Sequence, residues 1–518
     1  MNDNQPSRIL GSETEFGIVA VGEEDISPIL SSTQAVVAYA EHTGLGVNRR
    51  TRWDYDDESP LRDARGFDLR RYRSGSAPVL DPNAVGAANV ITNAGARFYV
   101  DHAHPEYSSP EVTSAWDAVI WDQAGDRVMH DAAVASGKID GQPELKIYKN
   151  NVDGKGASYG AHENYLYPRD YDIDVVTAAL IPHFVTRQVM IGAGRVGLGS
   201  AGEEPGFQIS QRADYIETPI SLETTLNRGI INTRDEPHAE GDQWRRLHVI
   251  IGDANLSQTS TYLKFGTTAL VLDAVGAGAD FSDLALVDPV ESVRIVSRDL
   301  TCAEPLDFYG KVQRTAIDTQ REIRRRVIDA LEPAGKLTHD DRRVLDLWEE
   351  ILNDLQRDPM STADRLDWTA KLSLLRGYRE RGLAWEDPRL ALVDIQYHDI
   401  DPARGLYHAL VKRGRMTTLV PEEDVRHAME SAPTDTRAWL RGLVVSEFSD
   451  HVLAANWDSI IVDVPREGKP ATRVRMSQPL SFTRDEVMGA VPGDELSLED
   501  VLAAVMRLEP AAVSGVGS

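Results

Sequence analysis

Cysteine is nearly absent: Cys302 is the single one in 518 residues. One thiol excludes an internal disulfide and a cysteine-built metal cluster, and it fits a reducing cytosol. No apolar run approaches the ~20 residues of a membrane-spanning helix. The start, MNDNQPSRIL, lacks the basic residues and apolar core of a secretory signal, so a cytoplasmic protein with no membrane partner is expected. Positive charge is scarce as well, with 55 basic against 82 acidic residues and a formal charge of −27. That deficit argues against binding along a nucleic-acid backbone. It leaves room for a nucleotide, because a pocket can be locally positive inside a negative molecule. Repeats and low-complexity blocks are missing too. What is present is an ordinary globular composition, 42% hydrophobic and 26% charged, in a chain long enough to bury well over half its unfolded surface.

Alternation of apolar and polar residues predicts a first strand from Ile9 to Val21, carrying Glu13 and Glu15. Strand, turn and alternating strand are expected within 89–111, and further strands at 145–150, 163–167 and 247–251. Apolar residues at three- and four-residue spacing predict helices over 32–40, 174–191, 260–275, 311–331, 340–357 and 361–382. The last three read as a helical layer covering a sheet. Past about 445 short strands return, SIIVDV and TRVRM, before a helix at 498–508. The pattern predicts a mixed α/β (α+β) chain with a large domain, 1–445, and a small C-terminal one, 446–518. Between 48 and 73, NRRTRWDYDDESPLRDARGFDLRRYR carries eight arginines and six carboxylates with little apolar periodicity. It reads as a long surface loop, either a mobile lid near the substrate or a passive solvated insertion.

Glu13 and Glu15, two apart on a strand, project from one face. Crowded carboxylates on an apolar strand are costly unless a cation neutralises them, and hard oxygen donors suit magnesium. Two solvated acids on an exposed face are the plain alternative. In ARFYVDHAHPEY, Arg97, Tyr99 and Asp101 alternate onto one face and Glu106 follows a proline turn, a mixture that resembles a site lining. His102 and His104 are also two apart, but no third histidine nearby and no HExxH pattern supports zinc. Glycine-rich YKNNVDGKGASYG runs into His162, Glu163 and Asn164; such glycines admit a ligand close to the backbone, or simply serve tight turns. IGAGRVG matches GxGxxG on paper, yet a helix precedes it and GLGSAGEEPG cannot open one, so a dinucleotide fold is rejected. Arg234, His238, Arg245, Arg246, His248 and Asn255 flank LHVII and would suit a phosphate or carboxylate, with Arg245 or Arg246 as a plain turn charge.

Together these segments resemble a known family. GSETEFG at 11–17, NAGARFYVDHAHPEY at 93–107, KNNVDGKGASYGAHENYL at 149–166, SQRADYIE at 210–217 and INTRDEPHA at 231–239 recur in order. So do RRLHVIIGDANLSQTSTYLK at 245–264, PTDTRAWLRG at 433–442 and WDS at 457–459. Over nearly the whole chain they resemble the ligase–deamidase family of prokaryotic ubiquitin-like protein (Pup) modification. The resemblance implies a glutamine-synthetase-like large domain, its curved mixed or antiparallel sheet packed by helices, and a small C-terminal domain. It implies that Asp101 is catalytic and that Glu13, Tyr99 and Glu106 are magnesium ligands. Glu15, His162 and His248 would be further metal or phosphate contacts, and Arg97, Ser109 and Trp457 would contact ATP. ATP and Mg2+ are then the expected cofactors, and Pup and pupylated proteins the partners.

Within the family, residues 48–73 resemble an inserted loop of the deamidase branch, and DHAHPEY is one residue shorter than the ligase-like form. The resemblance therefore implies an ATP- and Mg-dependent amidohydrolase. It would deamidate the C-terminal Gln of Pup to Glu and cleave the Pup–lysine isopeptide bond, with bound nucleotide not consumed stoichiometrically. Asp101 would activate water as a general base or attack the amide directly. The alternatives are a Pup–protein ligase forming that isopeptide through a phosphorylated Glu, and a non-catalytic, nucleotide-dependent Pup-binding adaptor.

Overall fold

ILGSETE alternates residues that tolerate burial with residues that carry charge, and it forms the strand Ile9–Glu15 inside a six-stranded sheet. A computed structural model describes the protein over residues 8–23, 25–45, 52–53, 62–66, 88–464, 471–492 and 496–515. Across the sheet the strands run Trp244–Val249, Ala161–Pro168, Ile9–Glu15, His104–Ser108, Arg97–Asp101 and Asn89–Ile91. Every neighbouring pair is antiparallel. The register sets Glu13 between Ser108 and His162, Glu106 between Glu15 and Tyr99, and His248 opposite Asn164. Because side chains alternate with a period of two, these residues share one face.

The other face is largely apolar, Glu163 and Arg245 apart, and divides between two hydrophobic clusters. Leu10, Tyr165 and Leu247 pack with the helices Gln258–Gly276, Ala316–Leu331 and His339–Arg357. Phe98 and Tyr107 pack with the helix Pro28–His42 and with Val452, Ile460 and Val474 of a terminal sheet. Helix Ala115–Ser136 spans both clusters, with Val119 in the first and Met129 in the second. Buried on several sides, it has no single apolar stripe, so periodicity does not announce it. The expected helical layer is present with shifted edges. Val312–Arg314 pairs with Leu306–Phe308 as a hairpin, and the helix begins only where the Thr315 side chain caps the Asp318 N–H. No described helix is long and apolar enough to cross a membrane.

The strand expected from Ile9 to Val21 is interrupted at Phe16. Gly17–Ala20 leaves the main sheet to pair with Leu145–Tyr148. A Cβ at Gly17 would lie 2.5 Å from the Tyr159 hydroxyl, so only glycine lets the chain pass there. The terminal sheet runs Val513–Gly515, Thr472–Arg475, Ser459–Val462, Val452–Ala455 and ends on Arg52–Trp53, donated by the arginine-rich stretch. Its other described part, 62–66, bridges Asp63 to Arg234 and places the Thr233 hydroxyl 2.7 Å from a buried Asp63 carboxylate. Both described pieces are tied into the fold; the lid expected of 48–73 otherwise lies outside the described residues.

Candidate active site

Nine of the ten predicted site residues line one cavity of about 620 Å³ over the polar face of the sheet: Glu13, Glu15, Arg97, Tyr99, Asp101, Ser109, His162, His248 and Trp457. The tenth, Glu106, is 1% exposed and sits beneath the floor. Two donor groups form there, Glu15 with Asp101 and Glu106, and Glu13 with His162 and His248; within each group one ligand atom per residue lies within 4.8 Å of the others. Tyr99 lies between them, its hydroxyl 3.5 Å from Glu13 Oε1 and 3.4 Å from Ser108 Oγ.

The electrostatics of this floor ask for a cation. Burial, then repulsion from Glu13, Asp101 and Glu15, pushes the Glu106 carboxyl well above the ordinary range. Its Oε1 is buried without a hydrogen-bond partner, as is Nδ1 of His162. Burial raises Glu13 too, but His162, Arg246 and a hydrogen bond bring it below the ordinary value. Burial, with His162 and Arg246 nearby, drives His248 well below its ordinary value, so its imidazole is neutral. Its Nδ1 lies 2.9 Å from the Asn164 carbonyl oxygen and donates to it, which fixes the orientation of the ring. Neutral imidazoles, a Glu13 carboxyl held below its ordinary value and an orphaned buried oxygen on Glu106 together fit a hard divalent ion.

The three residues expected to contact nucleotide occupy the cavity wall differently. Arg97 is 8% exposed and lies flat between Trp53, 3.7 Å from its ring centroid, and Tyr99, at 3.8 Å. Its Nε donates to Asn89 Oδ1 at 2.7 Å. Trp457, on the turn between Val452–Ala455 and Ser459–Val462, meets Trp53 edge to face at 5.3 Å, so the terminal sheet brings an aromatic pair to this wall, with Trp53 as the member that touches Arg97. Ser109 has its hydroxyl engaged, accepting from the Ser12 N–H at 2.9 Å and donating to Pro110 O at 3.1 Å.

Register resolves the basic cluster. On Trp244–Val249, Arg246 faces the cavity and donates to Asn164 Oδ1 at 3.0 Å, while Arg245 faces the other way toward Tyr171. Arg234 and His238 line the cavity. Asn255 does not belong to the site: it bonds Ile191 O and Asp367 in the helical core. Arg212, Arg228 and Arg437 also line the cavity from irregular segments that carry no periodic signal. Burial, then Arg228, lowers Arg212 to about 10, the mark of a desolvated cation beside another cation. Six arginines and five carboxylates line the cavity, a slight positive excess within a chain of charge −27, so an anion fits where the whole surface would repel it.

Neither set-aside motif returns. His102 lies 2.9 Å from Asp101 and His104 3.3 Å from Glu15, and they share no metal-binding group among the described residues. Gly192–Gly194 links a short helix to the strand Arg195–Leu198, which contains Gly197, the reverse of a dinucleotide turn.

The chain is similar to known proteins over most of its length. A family model described as Pup-ligase protein matches residues 8–461. A Pup deamidase/depupylase of Mycolicibacterium smegmatis is 53% identical over 484 residues, 93% of this chain and 96% of its own length. A crystal structure of Pup with its ligase PafA matches with a TM-score of 0.74 at 29% identity, over 98% of this chain and 93% of that one. A structure of the Pup ligase PafA with ADP matches with a TM-score of 0.70 at 30% identity, over 85% of this chain and 96% of that one. Spanning the sheet, the helical layer and the first strands of the terminal sheet, the match means that the chain belongs to the Pup-ligase protein family.

Proposed function

We propose that this protein hydrolyses side-chain amides at the C-terminus of Pup, deamidating its terminal glutamine and cleaving the isopeptide that joins Pup to a lysine. The observation that carries the reading is the Asp101, Glu15 and Glu106 group at the cavity floor, in a chain 53% identical to a Pup deamidase/depupylase. Both reactions displace nitrogen from the same γ-carbonyl, so one site serves both. Asp101 supplies the carboxylate oxygen that takes a proton from water or attacks the carbonyl itself. Arg97, Arg246 and the Trp53–Trp457 pair suit the phosphates and base of a nucleotide, and the PafA neighbour with ADP supports that side of the reading. Glu13, Tyr99 and Glu106 would hold magnesium, with Glu15, His162 and His248 completing its surroundings. Magnesium and nucleotide held by these residues would supply positive charge and polarity beside the amide oxygen on which charge develops.

Incubation with ATP, Mg2+ and glutamine-ended Pup is expected to release ammonia, with ATP turnover far below stoichiometric. ATP turnover without ammonia would instead assign ligation. Replacing Glu106 by Gln tests the metal half of the reading. Gln removes the like-charge repulsion, so the metal-free variant is expected to unfold at a higher temperature than the parent. Added Mg2+ should raise the melting temperature of the parent but not of Glu106→Gln, and amide cleavage should fall about 100-fold. Equal Mg2+ stabilisation of both proteins counts against Glu106 as a ligand.

A further inference from the structure

The two residues joining the strands Arg97–Asp101 and His104–Ser108 hold an unusual backbone. Asp101 pairs directly with His104, leaving His102 and Ala103 as a two-residue hairpin turn. His102 has φ 51°, the left-handed region, where the first position of such a turn normally takes glycine. A side chain there is strained, and strain of this kind persists only where the surroundings hold it. They do so from both sides. The buried Ser32 hydroxyl donates to Ala103 O at 2.9 Å, and the His104 ring packs at a tilt against Tyr159, their centroids 4.3 Å apart. The imidazole this backbone presents reaches Asp101: Nδ1 lies 2.9 Å from Oδ2, and since an ionised carboxylate only accepts, Nδ1 carries the hydrogen.

We propose that His102 is a positioning residue for Asp101. It fixes one carboxylate oxygen with a hydrogen bond, so that the other faces the reacting carbonyl. The inference rests on the reading of Asp101 as catalytic. It explains why a turn that glycine would relax is built around histidine, and why that histidine lines the same cavity although its side chain is 71% exposed. A carbonyl substrate seated over Asp101 excludes water from the pair and strengthens the bond.

Three variants separate positioning from turn geometry. His102→Gly removes the donor and relieves the strain, His102→Ala removes the donor and keeps the strain, and His102→Asn keeps a short donor on a residue that tolerates left-handed backbone. Glycine and alanine are expected to lower kcat for ammonia release about tenfold or more, the equivalent of ~1.4 kcal/mol, with KM for Pup within about twofold. His102→Gly should melt at or above the parent temperature, and His102→Asn should recover most of kcat. A merely structural role predicts the reverse for glycine, and full kcat in His102→Gly, or a change in KM alone, overturns the inference. Asp101→Asn is measured alongside. If it keeps full cleavage, the catalytic reading itself fails; if it is inactive while His102→Gly is fully active, only the positioning role falls.

Discussion

Replacing Asp101 by Asn is expected to lower ammonia release and isopeptide cleavage by ~10³-fold or more, with nucleotide affinity nearly unchanged. The isostere keeps the shape of the side chain but loses both the charge that attracts a proton and the nucleophilic oxygen. Groups in that role contribute typically ~10²–10⁴-fold. Structural damage is a poor explanation for such a loss. The Asp101 side chain is 40% exposed, and its ion-pair partner is His102 on the adjoining turn. A substitution so placed costs at most about 1 kcal/mol of stability. The residues expected to hold nucleotide, Arg97 and Trp457, do not depend on Asp101: Arg97 is fixed by Asn89 and by its two aromatic neighbours. Retained nucleotide binding with lost cleavage therefore isolates the chemical step. Wild-type turnover in Asp101→Asn would remove this residue from the mechanism and, with it, the reading of the carboxylate group at the cavity floor.

The central strands were legible because their chemistry has a period of two. Glu13 with Glu15, and Arg97 with Tyr99 and Asp101, are each two apart, and antiparallel register then brings the two sets onto one face. What alternation could not tell was depth. Glu106 shares that face yet lies beneath the cavity floor, and Glu163, beside His162, points the opposite way into a buried pair with Arg187. Nor could composition choose between Arg245 and Arg246, which differ only by which face the register gives them. Arg212 and Arg228 were hidden for another reason. They reach the cavity from loops, where no period links a residue to its neighbours in space. Arg212 is held there by Ser158, Tyr159 O and Ile250 O, and those contacts exist only after folding. The break at Phe16 was invisible because a run of strand-forming residues does not reveal when it changes partners.

Glu111 carries the largest expected stability effect. It is 9% exposed and accepts from Arg437 at 2.8 Å and from Arg441, two arginines one helical turn apart around the start of Ala438–Glu447. Those arginines continue outward to carbonyls of four separate segments: His238 and Met476 from Arg437, Gly95 and Trp457 from Arg441. One carboxylate thus bridges the two arginines that tie the main sheet to the terminal one around the cavity. Glu111→Gln leaves two buried cations without a counter-charge and is expected to cost ~3–5 kcal/mol, read from denaturant unfolding. Linkage gives a similar figure. Burial alone would raise the Glu111 carboxyl, but Arg441 and Arg437 bring it from 4.5 down to about 2, worth ~3 kcal/mol. Since the folded value is the lower one, this stability is present above about pH 4.5 and is lost as pH falls toward 2. The parent should therefore lose stability steeply across that window, while Glu111→Gln, already without it, shows a shallower acid limb. Nucleotide affinity should weaken in the same variant, because Trp457 and His238 are held through these arginines. Parallel acid limbs in parent and variant would mean that the two arginines find their counter-charge elsewhere and that the cavity wall does not hang on this carboxylate.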